Sequence, residues 1–506
     1  METMTFSDFK ALCSNKQSTA KGIIVPVYKK ILADLFTPVN AYLKIKDQSK
    51  YSFLLESVEG GERIARYSFL GYDPSEILSL NDGKVSHTSG EKSTSYEGNG
   101  LDQLRDILSK YEPVDIMGLP PLTCGAIGYI SYNSVRYFFN LNGDSSSAVS
   151  SKDQPPDMQF AFYRTIMAFD HFKHQAILVS NVFIDPDELK SLNDKDLQNK
   201  YDAALSRINS FETLLHNDID HKPKQIKIDE YRETFKREDY IKSVEKAKEH
   251  IVKGDAFQIV LSRREELENH PEPFEVYRAL RTINPSPYLF FLQMDDQVIT
   301  GSSPEMLVKV DNRRIHVRPI AGTRPRGSTK AEDEALESEL RRDEKERAEH
   351  AMLVDLGRND VGKVSKYGTV KVSELMAVER YSHVMHLVSR VTGELSEEYD
   401  ALDALIATFP AGTVTGAPKK RAMEIIEDLE PLSRGIYAGG VGYLDYKGNL
   451  DTCIAIRTIT FKGGKAFIQA GAGIVFDSIP ENEYEECRNK AKVLKEAIAM
   501  AAKGFK

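Results

Sequence analysis

Short stretches of alternating or apolar residues, each ending in a turn signal, follow one another from residue 20 to residue 135. They include YSFLLESVEG, RYSFLGYDP and EILSLNDGKVSHT, which run into Gly, Pro, Asn or Asp. This pattern is typical of β-strands separated by turns. A further strand and a short helix are predicted for LTCGAIGYISYNSVRYF, and a two-strand meander for MQFAFYRTIMAFDHFKHQAILVSNVF. Between these two segments, the Ser-, Asp- and Pro-rich residues 140–157 predict a surface loop.

A change of pattern near residue 185 predicts a domain boundary. Residues 185–240 are rich in charge, with helical periodicity in YDAALSRINSFETLL and then the polar stretch HNDIDHKPKQIKID. We therefore divide the chain into an N-terminal domain at 20–185, a connector at 186–235 and a C-terminal domain at 236–502.

The C-terminal part mixes helices and strands without regular alternation. Helices are predicted for EDYIKSVEKAKEHIVKGD, FEVYRALRTIN, YDALDALIATF and PKKRAMEIIEDLE, for one long charged helix over 331–357 and for a closing helix over about 480–502. Strands are predicted for AFQIVLSRREEL, for the run from PYLFF to VRPIAG and for a meander after GGVGY. Such runs favour an α+β fold, with antiparallel β-sheets packed as a sandwich and flanking helices.

Composition is that of a soluble globular protein with several domains. Of 506 residues, 41% are hydrophobic and 28% are charged, and 67 Lys plus Arg against 76 Asp plus Glu leave a net charge of −9. This balance disfavours nucleic acid and anionic membranes as partners. The four Cys residues lack metal-ligand spacing, and the N-terminal METMTFSDFKALCSNK resembles neither a signal nor a transit peptide. We therefore expect a soluble, cytoplasmic protein.

Two pairs of glutamates lie three residues apart on predicted helices. Glu346 and Glu349 share a face of the long charged helix, and Glu483 and Glu486 share a face of the last helix. A charge run on a helix is usually a solvated face. Two such pairs facing each other would instead form an oxygen-rich site for a hard divalent cation, above all Mg²⁺. Spacing by itself leaves both interpretations open.

Two glycines that follow a predicted strand, and two residues within predicted strands, are further candidates for the functional site. Gly471 and Gly473 would let backbone N–H groups approach an anion, although a tight turn explains the same pattern. His386 lies in an alternating strand, where a histidine is more often packed than catalytic. Arg457 is predicted inside the apolar strand CIAIRT, where its charge requires a paired group or an anionic ligand such as a carboxylate.

Six long segments together are far more specific than any of these signals. They are PIAGTRPRG (319–327), DEKERAEHAMLVDLGRND (343–360), HLVSRVTGEL (386–395), FPAGTVTGAPKKRAM (409–423), IYAGGVGY (436–443) and QAGAGIVFDSIPENEYEECRNKA (469–491). With these segments the sequence resembles, over essentially its whole length, the anthranilate synthase component I family of chorismate-utilising enzymes. LLESVEG (54–60) resembles the tryptophan-binding segment of that family.

The resemblance implies a reaction and its ligands. Chorismate and ammonia would give anthranilate and pyruvate with Mg²⁺ as cofactor, the first step from chorismate to tryptophan. Glu349 and Glu486 are the implied metal ligands, with Glu346 and Glu483 supporting the metal shell. The residues implied in chorismate binding are Gly322, Thr323, Tyr437, Arg457, Gly471, Ala472 and Gly473.

The resemblance also implies groups that transfer protons. Ammonia adds at ring carbon 2 while the carbon 4 hydroxyl leaves, and a general acid must protonate it because hydroxide is a poor leaving group. Glu305 matches the family's acid, and Thr413 is expected to orient the same region. Elimination of pyruvate then removes a ring proton, and His386 is the candidate to position or move it.

Two positions discriminate between related activities. Relatives that make 4-amino-4-deoxychorismate typically carry Lys where this chain has Ala321, and isochorismate synthases carry Lys where it has Gln258. Both differences favour anthranilate synthase. The alternatives are a 4-amino-4-deoxychorismate synthase and a catalytically silent relative that senses tryptophan.

The ammonia source and an inhibitor site complete the expectations. A glutaminase needs a nucleophilic Cys, usually in Gly-x-Cys-x-Gly, and none of the four Cys contexts matches. A separate glutamine amidotransferase subunit, component II, is therefore the implied partner.

At position 289 this chain has Leu where a family member often has Met, and the feedback inhibitor that the resemblance implies is tryptophan. Its expected contacts are Glu56, Ser57, Pro287, Tyr288, Leu289, Val441 and Tyr443.

Overall fold

The structure, a computed structural model, describes residues 2–14, 20–57, 66–139, 154–219, 221–380 and 384–505. Most of the loop predicted at 140–157 lies outside these ranges, as do residues 58–60 of LLESVEG. Residues 381–383, which precede the strand of His386, are also outside them.

Twelve α-helices lie in the described residues, together with 3₁₀ turns at Tyr132–Tyr137 and Gly412–Val414. The helices are α1 (Phe6–Ser14), α2 (Pro38–Ile45), α3 (Gly100–Ser109), α4 (Pro186–Ser191), α5 (Asp194–His216), α6 (Arg237–Val252), α7 (Pro273–Ile283), α8 (Lys330–Arg342), α9 (Glu344–Gly362), α10 (Ala401–Thr408), α11 (Lys419–Leu429) and α12 (Pro480–Ala502).

Twenty-five strands lie in the same described residues. They are β1 (Gly22–Leu32), β2 (Tyr51–Glu56), β3 (Tyr67–Tyr72), β4 (Glu76–Asn81), β5 (Lys84–Ser89), β6 (Lys92–Glu97), β7 (Tyr111–Pro113), β8 (Gly125–Ile130), β9 (Met158–Tyr163), β10 (Thr165–Asp170), β11 (Gln175–Ile184), β12 (Arg232–Glu233), β13 (Gln258–Glu268), β14 (Tyr288–Met294), β15 (Gln297–Ser303), β16 (Met306–Asp311), β17 (Arg314–Val317), β18 (Ile320–Pro325), β19 (Lys371–Arg380), β20 (Val384–Glu394), β21 (Gly416–Ala417), β22 (Gly440–Asp445), β23 (Leu450–Ile454), β24 (Thr458–Lys462) and β25 (Lys465–Ile474).

These strands form two large sheets. Sheet I has the order β12-β13-β25-β24-β15-β14-β2-β3-β10-β11-β1-β7, with β21 beside β13. Sheet II has the order β18-β20-β17-β16-β23-β22-β8-β9-β4-β5-β6, with β19 beside β20. The ladders between described strands are antiparallel apart from the short parallel pair of β1 and β7. The predicted α+β class with antiparallel sheets is confirmed.

Apolar side chains fill the space between the sheets and cover their outer faces. Phe53 and Phe290 of sheet I pack with Tyr163 and Val441 of sheet II in the inner layer. Helices α1, α2 and α5 cover one part of the outer face of sheet I, and α3, α9 and α10 cover sheet II. Removing this surface from water is the main force that holds the layers together.

Both sheets take strands from both predicted domains. β2, from the N-terminal segment, pairs with β14, and β8 pairs with β22. The two segments therefore share one continuous framework. That regulation belongs to the first segment and catalysis to the second remains a prediction.

The long charged helix predicted over 331–357 is wrong, because two helices meet there at Asp343. Asp343 has an extended backbone, and its carboxylate accepts the backbone N–H of Glu346 at 3.0 Å, which begins α9 as an N-cap. The same carboxylate accepts a hydrogen bond from Arg324 at 2.7 Å. Glu346 and Glu349 consequently lie in the first turns of their own helix.

Other local predictions also differ from the structure. Arg457 lies in the bend between β23 and β24, with a positive φ of 51°, and not inside a strand. The two-strand meander is in fact the three strands β9, β10 and β11, and the chain crosses between the sheets at Arg164. Helices α2 and α3 interrupt the region predicted as strands, although Thr37 and Pro38 form a readable helix start. No helix in the described ranges combines the length and apolarity that crossing a bilayer requires.

Candidate active site

One cavity of about 1000 Å³ lies where β13 and β25 of sheet I meet α9, α12 and the β18–β20 edge of sheet II. Of the residues predicted to be catalytic, metal-binding or chorismate-binding, the cavity wall contains Glu305, Thr413, His386, Gly322, Thr323, Tyr437, Arg457, Gly471, Gly473, Glu346, Glu349, Glu483 and Glu486. Residues separated by nearly 200 positions in the sequence thus face one volume.

Ala472 is the predicted residue that the structure does not bring to this wall. Its side chain packs in the apolar cluster under β13. Gly471 and Gly473 alternate with it, and the carbonyl of Gly471 accepts Lys490 Nζ at 3.0 Å. Because a strand residue points its N–H and C=O to the same side, the amides of both glycines face away from β13. β25 pairs with β24 only as far as Ile468, so this edge stays open toward the cavity.

Glu305 follows β15 and carries the most altered carboxyl group in the cavity. The hydroxyl of Thr413 donates to its Oε1 at 2.8 Å. Burial raises the pKa of Glu305 to about 7, against the Thr413 hydrogen bond and the positive charges of Arg457 and Lys490. A carboxyl group with this pKa can hold and release a proton near neutral pH.

Arg457 lies in the bend between β23 and β24, and its guanidinium lines the cavity. Its own carbonyl accepts the amide of Ser302 at 3.1 Å, which holds the bend against β15. Burial lowers the pKa of the guanidinium, while Tyr437, Glu305 and Glu486 act in the opposite direction. A planar guanidinium in this position suits a carboxylate ligand, which would also offset the cost of its burial.

His386 stands on β20, opposite Thr323 of β18. Its Nδ1 lies 3.1 Å from the carbonyl of Gly322 and 3.0 Å from the hydroxyl of Thr323. A carbonyl only accepts, so this geometry places a proton on Nδ1. Gly322 has a φ of 69°, and a Cβ there would lie 3.1 Å from Leu340 and 3.2 Å from Glu346. Glycine is therefore required at this point of β18, where the register with β20 shifts.

The four glutamates form two pairs, one on α9 and one on α12. Burial and the charge of Glu349 raise the pKa of Glu346, and Arg324 opposes this from 3.4 Å. Burial also raises the pKa of Glu483, with a further increase from Glu486. Glu349 accepts a hydrogen bond from Gln258 at 3.1 Å. Like charges held side by side are the arrangement that a cation relieves.

The donor chemistry of these pairs fits Mg²⁺, which prefers carboxylate oxygen. In the described part of the chain, however, no three His, Cys, Asp or Glu residues stand close enough together to bind a metal. Mg²⁺ usually uses one or two carboxylates and completes its shell with water and substrate. The separated pairs match that mode and not an all-protein cage.

Lys490 and Gln258 also contact residues of this site, and the sequence predicts no such contact for either of them. Lys490 pairs with Glu486 at 2.6 Å, four residues earlier on α12, and also reaches Gly471. The i, i+4 spacing was a readable signal for that pair. The contact of Gln258 with Glu349 had no such signal, because 91 residues separate them.

The residues predicted to bind tryptophan lie on both faces of sheet I and on the inner face of sheet II. Glu56 is buried and accepts Arg281 Nε at 2.8 Å together with the hydroxyl of Tyr277. Leu289 pairs with Glu56 in register and packs on the same outer face. On the inner face, Tyr288, Val441 and Tyr443 belong to the layer between the sheets. Pro287 is buried beside Tyr288.

Two polar groups mark this inner face. The hydroxyl of Tyr288 donates to Asp451 at 3.0 Å. The buried hydroxyl of Ser57 has no hydrogen-bond partner in the described structure. A buried hydroxyl without a partner costs free energy, so a ligand that supplies one would be favoured there.

A family model described as chorismate binding enzyme matches residues 50–496. Anthranilate synthase component 1 of Acetivibrio thermocellus is 44% identical over 489 residues, covering 94% of this chain and 96% of that protein. The protein of the same name from Acinetobacter calcoaceticus is 42% identical over 500 residues, covering 96% of this chain and 97% of its own length.

Solved structures give the same picture. The crystal structure of anthranilate synthase component I from Streptococcus pneumoniae TIGR4 is 37% identical, with a TM-score of 0.71 over 92% of this chain and 99% of that one. The menaquinone-specific isochorismate synthase MenF from Escherichia coli has a TM-score of 0.70 at 20% identity, covering 97% of this chain and 99% of MenF. At that identity the likeness concerns the fold alone.

Proposed function

The chain belongs to the chorismate-binding enzymes and, among them, to the anthranilate synthase component I family, and from this premise we propose that it converts chorismate and ammonia to anthranilate and pyruvate. The observation that carries the proposal is the single cavity that joins Glu305, Arg457, His386 and both glutamate pairs. Each of these groups has a use in this reaction.

Substrate binding begins with two carboxylates. Chorismate carries one on its ring and one on its enolpyruvyl group. The guanidinium of Arg457 and the outward amides of Gly471 and Gly473 form an anion-binding wall for the enolpyruvyl carboxylate. Tyr437, Gly322 and Thr323 line the same cavity and would limit the orientation of the ring.

The ring carboxylate would lie toward the glutamates. Glu349 and Glu486 would hold Mg²⁺, and Glu346 and Glu483 would hold its waters. Bound there, Mg²⁺ would neutralise negative charge on the ring carboxylate. Gln258 contributes from the protein side, because its hydrogen bond orients Glu349.

Glu305 would act as the general acid of the first step. Ammonia forms a bond to ring carbon 2, the two ring double bonds each shift by one bond, and the carbon–oxygen bond at carbon 4 breaks. The proton of Glu305 goes to the leaving oxygen, so that water departs. Thr413 orients the carboxyl group through its 2.8 Å hydrogen bond.

His386 would serve the second step. The hydrogen at carbon 2 leaves as a proton, the bond to the enolpyruvyl oxygen breaks, pyruvate departs and the ring becomes aromatic. With Nδ1 held beside the carbonyl of Gly322, the imidazole ring has a fixed orientation at the cavity wall, from which it would position or accept this proton.

Ammonia would come from a partner glutamine amidotransferase. All four cysteines are buried, and burial raises the pKa of each thiol, of Cys13 and Cys487 to about 12. None of them is then a ready thiolate nucleophile for glutamine hydrolysis. This supports a separate glutaminase subunit.

Tryptophan would inhibit from the site around Ser57 and Tyr288. One segment connects that site with the cavity: residues 283–286 line the cavity, and Pro287 and Tyr288 follow them directly. Asn284 donates to the hydroxyl of Ser302 at 3.1 Å, and Ser302 holds the carbonyl of Arg457. A shift of this segment would reach the group that binds chorismate.

The test is product fluorescence after the purified chain is mixed with chorismate, Mg²⁺ and ammonium at alkaline pH. We expect fluorescent anthranilate and an equal amount of pyruvate. Accumulation of 4-amino-4-deoxychorismate without pyruvate would establish the alternative activity, which Ala321 disfavours. No turnover from a folded, tryptophan-binding chain would identify a silent sensor.

A further inference from the structure

Arg434 is a buried cation that connects two residues of the cavity wall, Val260 and Val414, with the end of α11. Only 3% of it is exposed. Its Nη1 donates to the carbonyl of Val414 at 2.6 Å, and its Nη2 donates to the carbonyl of Val260 at 2.7 Å. Nε and Nη2 also donate to the two carboxylate oxygens of Glu430 at 2.9 and 2.6 Å. The guanidinium thereby joins β13, α11's C-terminal end and the 412–414 turn.

Glu430 extends this network along β13 toward β25. One of its oxygens also accepts the backbone N–H of Ser262 at 2.7 Å and the hydroxyl of Ser262 at 2.9 Å. That hydroxyl in turn accepts the amide of Gln469, a residue of the cavity wall, at 2.8 Å. The network therefore runs from the 412–414 turn through β13 to Gln469 on the neighbouring strand β25.

Stability alone is a weak reason for such a buried pair. Desolvation of two ions commonly cancels their attraction, and apolar replacements are often as stable. The pair instead fixes the orientation of its neighbours, because a planar guanidinium holds several hydrogen-bond acceptors in place at once. The important acceptor is the carbonyl of Val414, because the hydroxyl of the neighbouring Thr413 donates a hydrogen bond to the carboxyl group of Glu305.

We propose that Arg434, held by Glu430, is a positioning residue for the general acid: it fixes the 412–414 turn so that the Thr413 hydroxyl reaches Glu305. The inference rests on the proposed function, because it takes Glu305 as the acid. Arg434 itself does not touch the reacting atoms.

The physical consequence has a definite sign. Glu305 faces Thr413, Arg457 and Lys490, all of which favour its ionised form, while burial favours the neutral form. Weakening the Thr413 hydrogen bond therefore raises the pKa of Glu305. A general acid is active while protonated, so the fall of kcat on the alkaline side moves to higher pH.

The experiment measures kcat against pH at saturating chorismate and constant free ammonia in Arg434→Lys, Thr413→Val and the double variant. Lys keeps the charge but cannot reach four acceptors. We expect kcat about tenfold lower in Arg434→Lys, with KM for chorismate changed less than about twofold. The alkaline limb should move upward in both single variants, and the double variant should move no further than Thr413→Val.

Arg136→Lys is the matched control. Arg136 also pairs with a buried carboxylate, Asp157, at 2.6 Å and stands over the ring of Tyr137, and it is not among the residues of the cavity wall. It should lower Tm and leave the alkaline limb unchanged. A merely structural role for Arg434 would give the same result as this control.

Three results overturn the inference. One is an unchanged alkaline limb in Arg434→Lys, another is an unchanged limb in Thr413→Val, and the third is additive shifts in the double variant. If Arg434→Lys fails to fold, a double variant with Arg434→Met and Glu430→Gln removes both charges. The alkaline limb of its profile of kcat against pH is then measured in the same way. Wild-type turnover in Glu305→Gln would overturn the proposed acid itself and this inference with it, which separates the two failures.

Discussion

Glu305 illustrates how its surroundings alter a single residue. On the surface its carboxyl group would be ionised at neutral pH. Burial raises its pKa to about 7, although the hydrogen bond from Thr413 acts in the opposite direction. The same burial that makes it a useful acid makes its ionised form costly. Function and stability are therefore opposed at this position.

Glu305→Gln should be inactive yet more stable than the wild type at about pH 8. The folded-state pKa is higher than the unfolded one, so the stability from this group is present below about pH 4.5 and lost as pH rises through about 7. Glutamine avoids the buried charge, and we expect a gain of roughly 1–3 kcal/mol at about pH 8 and almost none at about pH 4.5. Urea unfolding at both pH values measures this. A gain independent of pH would contradict the assigned cause.

Glu486→Gln should abolish activity with little change in the free energy of unfolding. The amide keeps the size of the side chain but removes the charge that Mg²⁺ needs, and the lost pair with Lys490 is partly exposed and weak. Anthranilate formation across a Mg²⁺ titration measures the effect. Glu485→Gln, on the same helix and paired with Arg488 at 3.0 Å, is the control and should behave as wild type. Substantial turnover of Glu486→Gln at limiting Mg²⁺ would remove this residue from the metal site.

Ser57→Phe should relieve tryptophan inhibition and spare catalysis. A ring at this position fills the space that the inhibitor would use and removes a buried hydroxyl without a partner. Ser57→Ala is the milder control: it should weaken inhibition without loss of stability, because no hydrogen bond in the described structure is lost. Anthranilate assays across a tryptophan titration compare the variants at one chorismate concentration. An unchanged inhibition curve for Ser57→Phe would place the inhibitor elsewhere.

At the scale of elements, the start of α9 decides where Glu346 and Glu349 point. The Asp343 carboxylate caps this helix, and its second bond to Arg324 ties the cap to β18. Arg324 also reaches Glu346 at 3.4 Å. The predicted metal ligands are thus oriented by the helix terminus and not only by their spacing.

Asp343→Ala should raise the Mg²⁺ concentration needed for half-maximal activity severalfold. Without the cap the first turn of α9 frays, and Glu346 and Glu349 lose their common orientation. Activity against Mg²⁺ concentration is the measurement. Asp355→Ala removes an exposed aspartate of the same helix, paired with Arg358 at 2.8 Å, and should leave the requirement unchanged. Equal Mg²⁺ requirements in both variants would show that the cap does not matter for the site.

At the scale of the whole molecule, sheet I connects the predicted inhibitor site to the cavity. β14 carries Tyr288 and Leu289 of the predicted inhibitor site, and its neighbour β15 ends next to Glu305. If tryptophan weakens chorismate binding, then chorismate must weaken tryptophan binding by the same factor.

The purified chain should use ammonium salts but not glutamine. Its buried thiols lack the reactivity that glutamine hydrolysis needs, and adding a component II subunit should confer glutamine use. Anthranilate formation with each nitrogen source, with and without the partner, measures this. Glutamate release by the isolated chain would show that the interpretation of its cysteines is wrong.

The sequence by itself determined the fold class, the order of most elements and the family. Alternation, helical periodicity and turn residues are local, so β13, α7 and the closing α12 could be predicted from their own segments. The family resemblance also provided the candidate residues, and the structure places nearly all of those predicted for catalysis, metal and chorismate in one cavity.

The tertiary structure alone decided how those residues act. The cap at Asp343 depends on Arg324, the outward amide of Gly471 depends on where β24 ends, and Arg434 reaches Val260, 174 residues away. Burial, which raises the pKa of Glu305 and leaves the Ser57 hydroxyl without a partner, likewise exists only after the sheets have packed. Local patterns carry no information about such contacts, because the interacting groups meet only through the fold.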